Sequence, residues 1–287
     1  MSVLEAAVGA AEDVAPVPRR RRRRLPWKLR IGTGIIVVFA LAAILAPVLA
    51  PYKPLAIHPL QALQPPGGSH LLGTDDVGRD ELSRLIYAAR IDLPVAAFGA
   101  LLPCLLGTML GAFAGFTGRW ADILVMRVSD LVQAFPIYIL MIALVFALGP
   151  GVRSLLVAFT VVGWVVYARV IRGEILRVRN LDYVHAARIA GLSRRRILFV
   201  HVLPNTLGQT VVYVMSDLVF AMLALAAFSF LGLGVPPPTP EWGAMTAAGE
   251  QYVGTAWWLT VLPGVAIAIV ALGLSLIGDS FQDRLRT

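Results

Sequence analysis

Long apolar segments separated by short polar ones dominate the chain. About 20 consecutive apolar residues are enough to cross the hydrocarbon core of a bilayer as a helix. Segments of this kind cover 31–50, 93–116, 123–148, 152–171, a stretch that begins near 204, and 257–278. The pattern therefore predicts an all-α, polytopic membrane protein with six transmembrane helices.

Two of these segments leave alternatives open. Pro136 lies inside 123–148 and predicts a kink, because proline cannot donate the backbone hydrogen bond that continues a helix. In the segment that begins near 204, apolar residues continue from 218 to 235. This region is either one long tilted helix or a transmembrane helix followed by a re-entrant or surface helix.

Small residues recur in the second apolar segment. Gly107, Gly111 and Gly115 fall at every fourth position, which places them on one face of a helix. Small residues on one face let two helix backbones approach closely inside a membrane. We expect this face to pack against a neighbouring helix.

Composition supports the membrane interpretation and changes what the charge means. The chain has 287 residues, of which 58% are hydrophobic and 15% are charged. A net charge of +8 would suggest a nucleic-acid partner in a soluble protein, but here the arginines lie beside apolar segments, where they set topology. We therefore expect no nucleic-acid partner. The single cysteine, Cys104, allows no intrachain disulfide.

The distribution of positive charge predicts the orientation. Arginine occupies every position from 19 to 24, and eight arginines lie between 169 and 196. The segments 51–92 and 233–256 together contain four basic and seven acidic residues. Because basic segments stay in the cytoplasm, we expect both termini there. The predicted parts are a disordered basic tail at 1–30, an extracytoplasmic loop at 51–92 and a cytoplasmic tail at 280–287.

The polar segment 182–205 predicts a helix, a tight turn and a second helix. Asp182 suits the N-cap of the first helix, and Gly191 suits the left-handed residue that ends it. Ser193 suits the N-cap of a second helix that runs into Pro204. The first helix has a predicted face of small residues, which consists of Ala186, Ala187 and Ala190. Such a face allows another surface to approach closely.

This segment resembles the EAA loop of the membrane subunits of bacterial ABC importers. The resemblance rests on the spacing of an Ala-Ala pair, a glycine and a Leu-Pro pair; His185 stands where the family has glutamate. It implies that the loop, within 172–203, docks on an ATPase and transmits its closure to the membrane helices. The residues that it assigns to ATPase coupling are His185, Ala186, Ala187, Arg188, Ala190, Gly191, Arg194, Arg195, Leu203 and Pro204.

A second motif precedes the second apolar segment. It resembles an outer segment of the C-type membrane subunit of dipeptide, oligopeptide and nickel importers, and consists of Gly73, Thr74, Asp75, Gly78, Arg79 and Asp80. An amphipathic helix follows, typical of a segment on the membrane surface, with an apolar face formed by Leu82, Leu85, Ile86 and Ala89.

The acidic residues of this motif have two interpretations. Asp75, Asp76 and Asp80 carry oxygen ligands that a metal ion accepts. The favoured alternative is a capped turn in which Asp80 pairs with Arg79 or Arg84. We therefore expect no metal site here.

The two motifs together imply the transmembrane domain of a type-1 ABC importer, which the resemblance assigns to residues 93–279. The resemblance implies a bacterial plasma membrane protein that imports peptides, with nickel as an alternative cargo. Its implied partners are a second permease subunit in a heterodimer, two cytoplasmic ATPase subunits, an extracytoplasmic solute-binding protein and membrane lipid. The sequence contains no GxxxxGK[ST] loop, so ATP and Mg²⁺ are expected on the ATPase subunits. We expect no cofactor and no catalytic residue on this chain.

Two other classes compete with this interpretation. A transporter driven by an ion gradient often has two repeated halves and ionisable residues near the bilayer midplane. We find no repeat, and the one deeply placed acid is Asp217. This residue is either a pore contact for a cationic group, such as a peptide amino terminus, or part of an interhelical hydrogen bond. An intramembrane enzyme is disfavoured because the four histidines lack metal-ligand spacing.

Overall fold

The computed structural model describes residues 27–285, and within them the chain is almost entirely helical, with no β-strand. The α-helices are α1 (Trp27–Ile44), α2 (Ala46–Leu49), α3 (Glu81–Thr117), α4 (Arg119–Gln133), α5 (Ile137–Leu148), α6 (Val152–Val178), α7 (Asp182–Ile189), α8 (Arg194–Arg196), α9 (Leu203–Phe230), α10 (Trp242–Gly249) and α11 (Trp258–Leu285). Two 3₁₀ turns cover Pro59–Gln61 and Glu250–Tyr252, and a π-helical segment covers Ile197–Val202. The all-α prediction is confirmed, whereas the predicted disorder of the basic tail concerns residues outside those described, apart from 27–30, which are helical.

Five of the described helices are long and apolar enough to cross a membrane: α1, α3, α6, α9 and α11. The pair formed by α4 and α5 makes a sixth candidate, but its two helices meet at 89°. The prediction of one kinked helix over 123–148 is therefore wrong in its geometry. Pro136 begins α5 as its N-cap, so the break falls where a proline cannot continue the preceding helix.

Helix α3 is a single helix of 37 residues that runs through Pro94 and Pro103. Its length is about 55 Å, well beyond the roughly 30 Å hydrocarbon core of a bilayer. The prediction of a separate surface helix at Leu82, with a boundary near residue 92, is therefore wrong. This segment is the first part of α3. Its apolar face packs inward, with Ala88 and Ala89 buried and Leu85 against the side chain cluster around Trp242.

The glycines of α3 face α6, as the fourfold spacing predicted. A Cβ atom on Gly107 would lie 2.2 Å from the backbone oxygen of Trp164, and one on Gly111 would lie 2.4 Å from that of Ala168. A real Cβ cannot occupy either position, so only glycine permits this approach. The two helices are thereby held backbone to backbone along a line that we call the glycine seam, formed by Gly107, Gly111 and Gly115 of α3 against α6.

The first and last long helices form a second close pair. A Cβ on Gly32 of α1 would lie 2.6 Å from the backbone oxygen of Gly273 in α11. Lys28 at the start of α1 donates to Asp283 near the end of α11, with 3.4 Å between Nζ and Oδ2. Helix α11 continues to Leu285, so the predicted separate tail at 280–287 is helical as far as it is described.

The open question about 204–235 is resolved in favour of one long helix. Helix α9 ends at Phe230 and is followed by a turn in which Gly232 has φ +75°. The separate helix α10 then packs between α9 and α11.

We predict that Gly111→Ala destabilises the α3–α6 pair. The added methyl group meets backbone atoms of Ala168, which cannot move without separating the helices. Overpacking of this kind typically costs about 1–3 kcal/mol. The matched control is Gly173→Ala in α6, where a Cβ meets nothing within 4 Å. Thermal unfolding of the purified variants in detergent measures the effect; equal midpoints for the two variants would show that the seam does not limit stability.

Candidate functional site: the connecting loop and the outer cap

The loop between α6 and α9 begins with the short helix α7. Asp182 is its first residue, while Leu181 occupies the N-cap position and no side chain caps the helix. The prediction that Asp182 is the N-cap is therefore off by one residue. Inside the first turn, its negative charge still interacts favourably with the helix dipole.

Helix α7 ends in a Schellman motif at Gly191, as predicted for the left-handed terminator. Gly191 has φ +77°, and its N–H donates to the Arg188 oxygen at 3.0 Å. The Leu192 N–H donates to the Ala187 oxygen at 3.2 Å, which completes the pair of reversed bonds that define the motif. The turn therefore has a fixed geometry.

The predicted alanine face is divided between two sides of α7. Ala187 is buried with Val184 in an apolar cluster that includes Ile171 and Ile175 of α6, whereas Ala186 and Ala190 are exposed. Neighbouring helical residues are about 100° apart, so Ala187 cannot share a face with Ala186. Ile189 replaces it on the outer face and is 89% exposed. The outer face of α7 thus consists of Ala186, Ile189 and Ala190.

The second half of the loop continues directly into α9. Ser193 caps α8 by accepting a hydrogen bond from the Arg196 N–H at 3.4 Å, as predicted. The chain does not stop at Pro204, because the six-residue π-helical segment carries it into α9. The Leu203 N–H donates to the Leu198 oxygen, and the Asn205 side chain donates to the His201 oxygen at 2.6 Å. The latter bond satisfies a carbonyl near Pro204, which has no N–H to donate.

The remaining coupling residues lie around this loop. Leu203 packs against the cluster that holds α7, and His185 is exposed. Arg188, Arg194 and Arg195 line a groove between the loop and the end of α3. The structure therefore brings the residues predicted from the loop motif together at one end of the helices.

The opposite end carries the second predicted motif, within a folded segment of residues 51–80 that we call the outer cap. Gly73 and Gly78 have φ values of +80° and +81°. A Cβ on Gly78 would lie 1.9 Å from the backbone oxygen of His58, so the cap closes only over glycine. The Trp258 indole donates to the Thr74 oxygen at 3.2 Å and ties the cap to α11.

The acidic residues of this motif form a capped turn, as favoured from the sequence, but Asp80 does not pair with either of the two predicted arginines. Asp80 caps α3 through the Ser83 N–H at 2.8 Å, and its other oxygen lies 2.8 Å from Nδ1 of His70. Asp75 instead forms ion pairs with both arginines. Its Oδ2 lies 2.5 Å from Nε of Arg79 and 3.6 Å from Nε of Arg84. No group of three or more metal-ligating side chains occurs among the described residues.

Three buried charged residues near the cap make contacts that were not predicted from the sequence, where Arg84 was considered only as a partner of Asp80. Arg84 is buried and donates to the backbone oxygens of Pro54 and Pro238, each at 3.5 Å. Glu241 is buried and caps α10 through two backbone N–H groups at 2.7 Å. Asp92 in α3 accepts from the Trp242 N–H at 3.3 Å, which fixes α10 on α3. A signal existed in the Pro-Glu-Trp-Gly sequence at 240–243, where an acid precedes a helix start.

Asp217 lies in α9 beside a cavity of about 60 Å³. The cavity is large enough for a few water molecules. Its walls come from α3, α5, α6 and α9 of this chain, including Pro103 and Met141. The buried hydroxyl of Tyr167 on α6 has no hydrogen-bond partner among the described residues. The structure therefore places Asp217 beside a small cavity lined by four helices and leaves both interpretations of this residue open.

The fold is similar to that of a chain of the MetNI methionine ABC transporter in an inward-facing conformation. The TM-score is 0.55 at 17% sequence identity, and the match covers 68% of this chain and 93% of that chain. This similarity establishes the fold alone. Together with its apolar helices, the fold defines the chain as a multi-pass membrane protein with the transmembrane fold of a type-1 ABC importer.

The family model for the inner membrane component of binding-protein-dependent transport systems matches residues 107–287. A second model, for the N-terminal transmembrane domain of oligopeptide transport permease C, matches residues 30–66. The chain therefore belongs to the family of binding-protein-dependent transport system inner membrane components, and the family predicted from the two motifs is confirmed.

Two relatives match over most of their length. The dipeptide transport system permease protein DppC of Alkalihalophilus pseudofirmus is 39% identical, over 89% of this chain and 84% of that protein. The di/tripeptide transport system permease protein DppC of Pseudomonas aeruginosa is 40% identical, over 88% of this chain and 86% of that protein.

We predict that Asp80→Asn destabilises the outer cap while leaving α3 capped. Asparagine is as good an N-cap as aspartate, but it removes the negative charge that faces His70. Losing a buried hydrogen bond to a charged group costs about 1–3 kcal/mol. The control is Asp76→Asn in the same turn, where the side chain is exposed and its ion pair with Arg79 is long at 3.9 Å. Thermal unfolding should separate the two variants; equal midpoints would contradict the role of the His70–Asp80 pair.

Proposed function

We propose that this chain is the permease subunit of an ATP-driven importer of di- and oligopeptides, and that it forms the translocation pore with a second permease subunit. Family membership supports the importer, and the names of the two relatives support peptides over nickel as the cargo. Membership in this family also argues against a transporter driven by an ion gradient. In this proposal the protein performs no covalent chemistry of its own.

The observation that carries the proposal is the outer face of α7. Its exposed residues are small or apolar, and Ile189 is 89% exposed at the end of the molecule where the charge pattern predicts cytoplasm. A continuous face of small and apolar residues on an otherwise polar loop supports a surface that another protein contacts. We assign this surface to the docking groove of an ATPase subunit, and we expect ATP and Mg²⁺ to bind to that subunit. This chain itself then needs no cofactor.

The inner face of α7 supplies the mechanical connection. Val184 and Ala187 pack against Ile171 and Ile175, so α7 is seated on the last turns of α6. Only three residues separate the two helices, and the Leu181 N–H bonds back to the Val178 oxygen at 3.1 Å. A displacement of α7 by the ATPase is therefore passed to α6 as a rigid-body movement.

Polar residues of the loop adjust this contact. Arg188 lies on α7 beside the outer face and is a candidate partner for acids on the ATPase. His185 is exposed where the family has glutamate, so one negative charge is absent from the contact. The docking pairs are expected to differ accordingly from those of the wider family.

The other end of the molecule is assigned to cargo delivery. The outer cap and α10 are expected to face the solute-binding protein outside the cell. Asp217 is a candidate contact for the amino group of a peptide, supported by its position beside a cavity within the helices. Both termini lie in the cytoplasm in this arrangement.

Gly191→Val tests the docking role of the loop. Valine at φ +77° strains the turn by about 1–2 kcal/mol and adds bulk beside the contact. We expect the subunit to insert normally but to bind the ATPase more weakly or to uncouple ATP hydrolysis from peptide uptake. Co-purification of the ATPase and uptake of labelled dipeptide are the measurements.

Gly232→Val is the matched control for this experiment. Gly232 has φ +75° and ends α9 with the same pair of reversed bonds, because its N–H donates to the Ser229 oxygen and the Leu233 N–H donates to the Phe228 oxygen. Like Gly191, it has nothing within 4 Å of a Cβ position, so the control carries a similar backbone strain without touching the loop. Normal ATPase binding and uptake in Gly191→Val would show that the loop is only a connector.

Cysteine labelling in intact cells tests the orientation. In a background with Cys104→Ala, Leu71→Cys in the outer cap should react with an impermeant thiol reagent, because Leu71 is 64% exposed. Ser193→Cys in the exposed loop turn should be protected until the cells are opened. Labelling of Ser193→Cys from outside would reverse the proposed topology.

A further inference from the structure

An open groove lies beside the loop, between α8 with the π-helical segment and the last turns of α3. We call it the arginine groove; its volume is about 900 Å³. One wall is formed by Met109, Phe113 and Phe116 of α3, and the facing wall includes Leu198 and Phe199. The side chains of Met109, Phe113 and Phe199 are 67%, 54% and 58% exposed, so this apolar surface is uncovered within the described chain.

The groove lies at the end of α3, where a helix that crosses the hydrocarbon core would reach the level of the head groups. Its α3 wall runs from Met109 to Thr117, where α3 ends, which is a rise of about 12 Å. Met109, Phe113 and Phe116 are four and three residues apart and share one side of the helix. The glycine seam faces α6 from a different side, so packing against α6 leaves this wall open.

Three arginines line the groove, and no acidic residue does. Within residues 27–285, no ion pair involves Arg188, Arg194 or Arg195. Uncompensated positive charge is therefore concentrated at the mouth of an apolar groove.

Other arginines at this end of the molecule do have partners. Arg172 donates to Asp122 at 2.6 Å, and Arg177 donates to Glu174 at 2.7 Å. Arg179 donates to the Gly115 backbone oxygen at 2.8 Å. The unpaired state of the three groove arginines is thus not a general property of arginines in this region.

We propose that the arginine groove binds one anionic phospholipid. Arg194 and Arg195 hold its phosphate, because the planar guanidinium group matches phosphate oxygens in a two-pronged geometry. The acyl chains lie along Met109, Phe113 and Phe116. Basic grooves beside transmembrane helices recognise anionic head groups in this way.

This occupant combines the two features of the groove better than a protein segment does. A helix of a second permease subunit would cover the apolar walls, but it would need acids at the level of the arginines. A phospholipid supplies a phosphate and apolar chains in one molecule, at the depth where the groove lies. The lipid would also hold α8 against α3 and leave the outer face of α7 available.

The inference depends on the membrane location and not on the cargo. Its test is lipid retention by the purified chain, and by its complex with the second permease subunit, measured by native mass spectrometry. The probes are phosphatidylglycerol and zwitterionic phosphatidylcholine. We expect phosphatidylglycerol to bind preferentially, with affinity about fivefold weaker in Arg194→Gln and about 25-fold weaker in Arg194→Gln/Arg195→Gln.

Arg153→Gln is the matched control. Arg153 is exposed and lines a shallow apolar surface at the opposite end of α6, beside Leu102 and Val157. It should retain phosphatidylglycerol like the unaltered protein. Phe113→Ala provides a second variant that keeps all charges and shortens the apolar wall; it should lose affinity for phosphatidylglycerol by several-fold.

Three results would overturn the proposal. They are equal binding of the two lipids, equal loss in Arg153→Gln and Arg194→Gln, and loss of the bound lipid when the second permease subunit joins, since the groove would then belong to that subunit. ATPase association is measured on the same samples. Retained lipid without ATPase association would reject the proposed function alone, whereas normal association without lipid preference would reject only the lipid site.

Discussion

A close backbone contact between two long helices organises this molecule. Along the glycine seam, α3 and α6 approach so closely that a single methyl group at Gly107 or Gly111 would overlap the opposing backbone. Dispersion between backbones and small side chains replaces the hydrophobic effect inside a bilayer, so contacts of this kind stabilise helix pairs there. The two helices run parallel along the seam, because Gly107, Gly111 and Gly115 meet successively later residues of α6. The start of α3 supports the outer cap, and the end of α6 supports α7.

These two helix ends are fixed by directional bonds. Asp80 caps α3 and also holds His70 of the outer cap, while Arg84, one turn further along, reaches the backbone oxygens of Pro54 and Pro238. At the other end, the Schellman motif at Gly191 sets the angle between α7 and the chain that follows. Apolar packing holds the helices together, and these polar contacts determine where the chain turns.

Local signals were predictable from the sequence, and long-range pairs were not. The spacing of Gly107, Gly111 and Gly115, the left-handed Gly191 and the cap at Ser193 each follow from a residue and its near neighbours. His70 and Asp80, by contrast, meet only because the cap folds, so the partners predicted from nearby residues, Arg79 and Arg84, were wrong. The inward rotation of Ala187 depends on the cluster around Ile175, which no spacing within α7 specifies. The effect of a proline also depends on its tertiary surroundings. Pro136 precedes a new helix, whereas Pro94 and Pro103 lie inside α3.

The division of α7 into two faces explains how one short helix serves two surfaces. Its inner face is committed to α6 through Val184 and Ala187, and the six-residue π-helical segment on its far side leads directly into α9. In the proposed coupling, a force on the exposed Ile189 side acts on α6 and α9 together. Because α6 is joined to α3 along the glycine seam, sliding of α6 on α3 would bring the two backbones into a clash. The proposed movement of α7 would then be carried towards the outer cap by the packed α3–α6 pair, and the bend of 89° between α4 and α5 lies outside that pair.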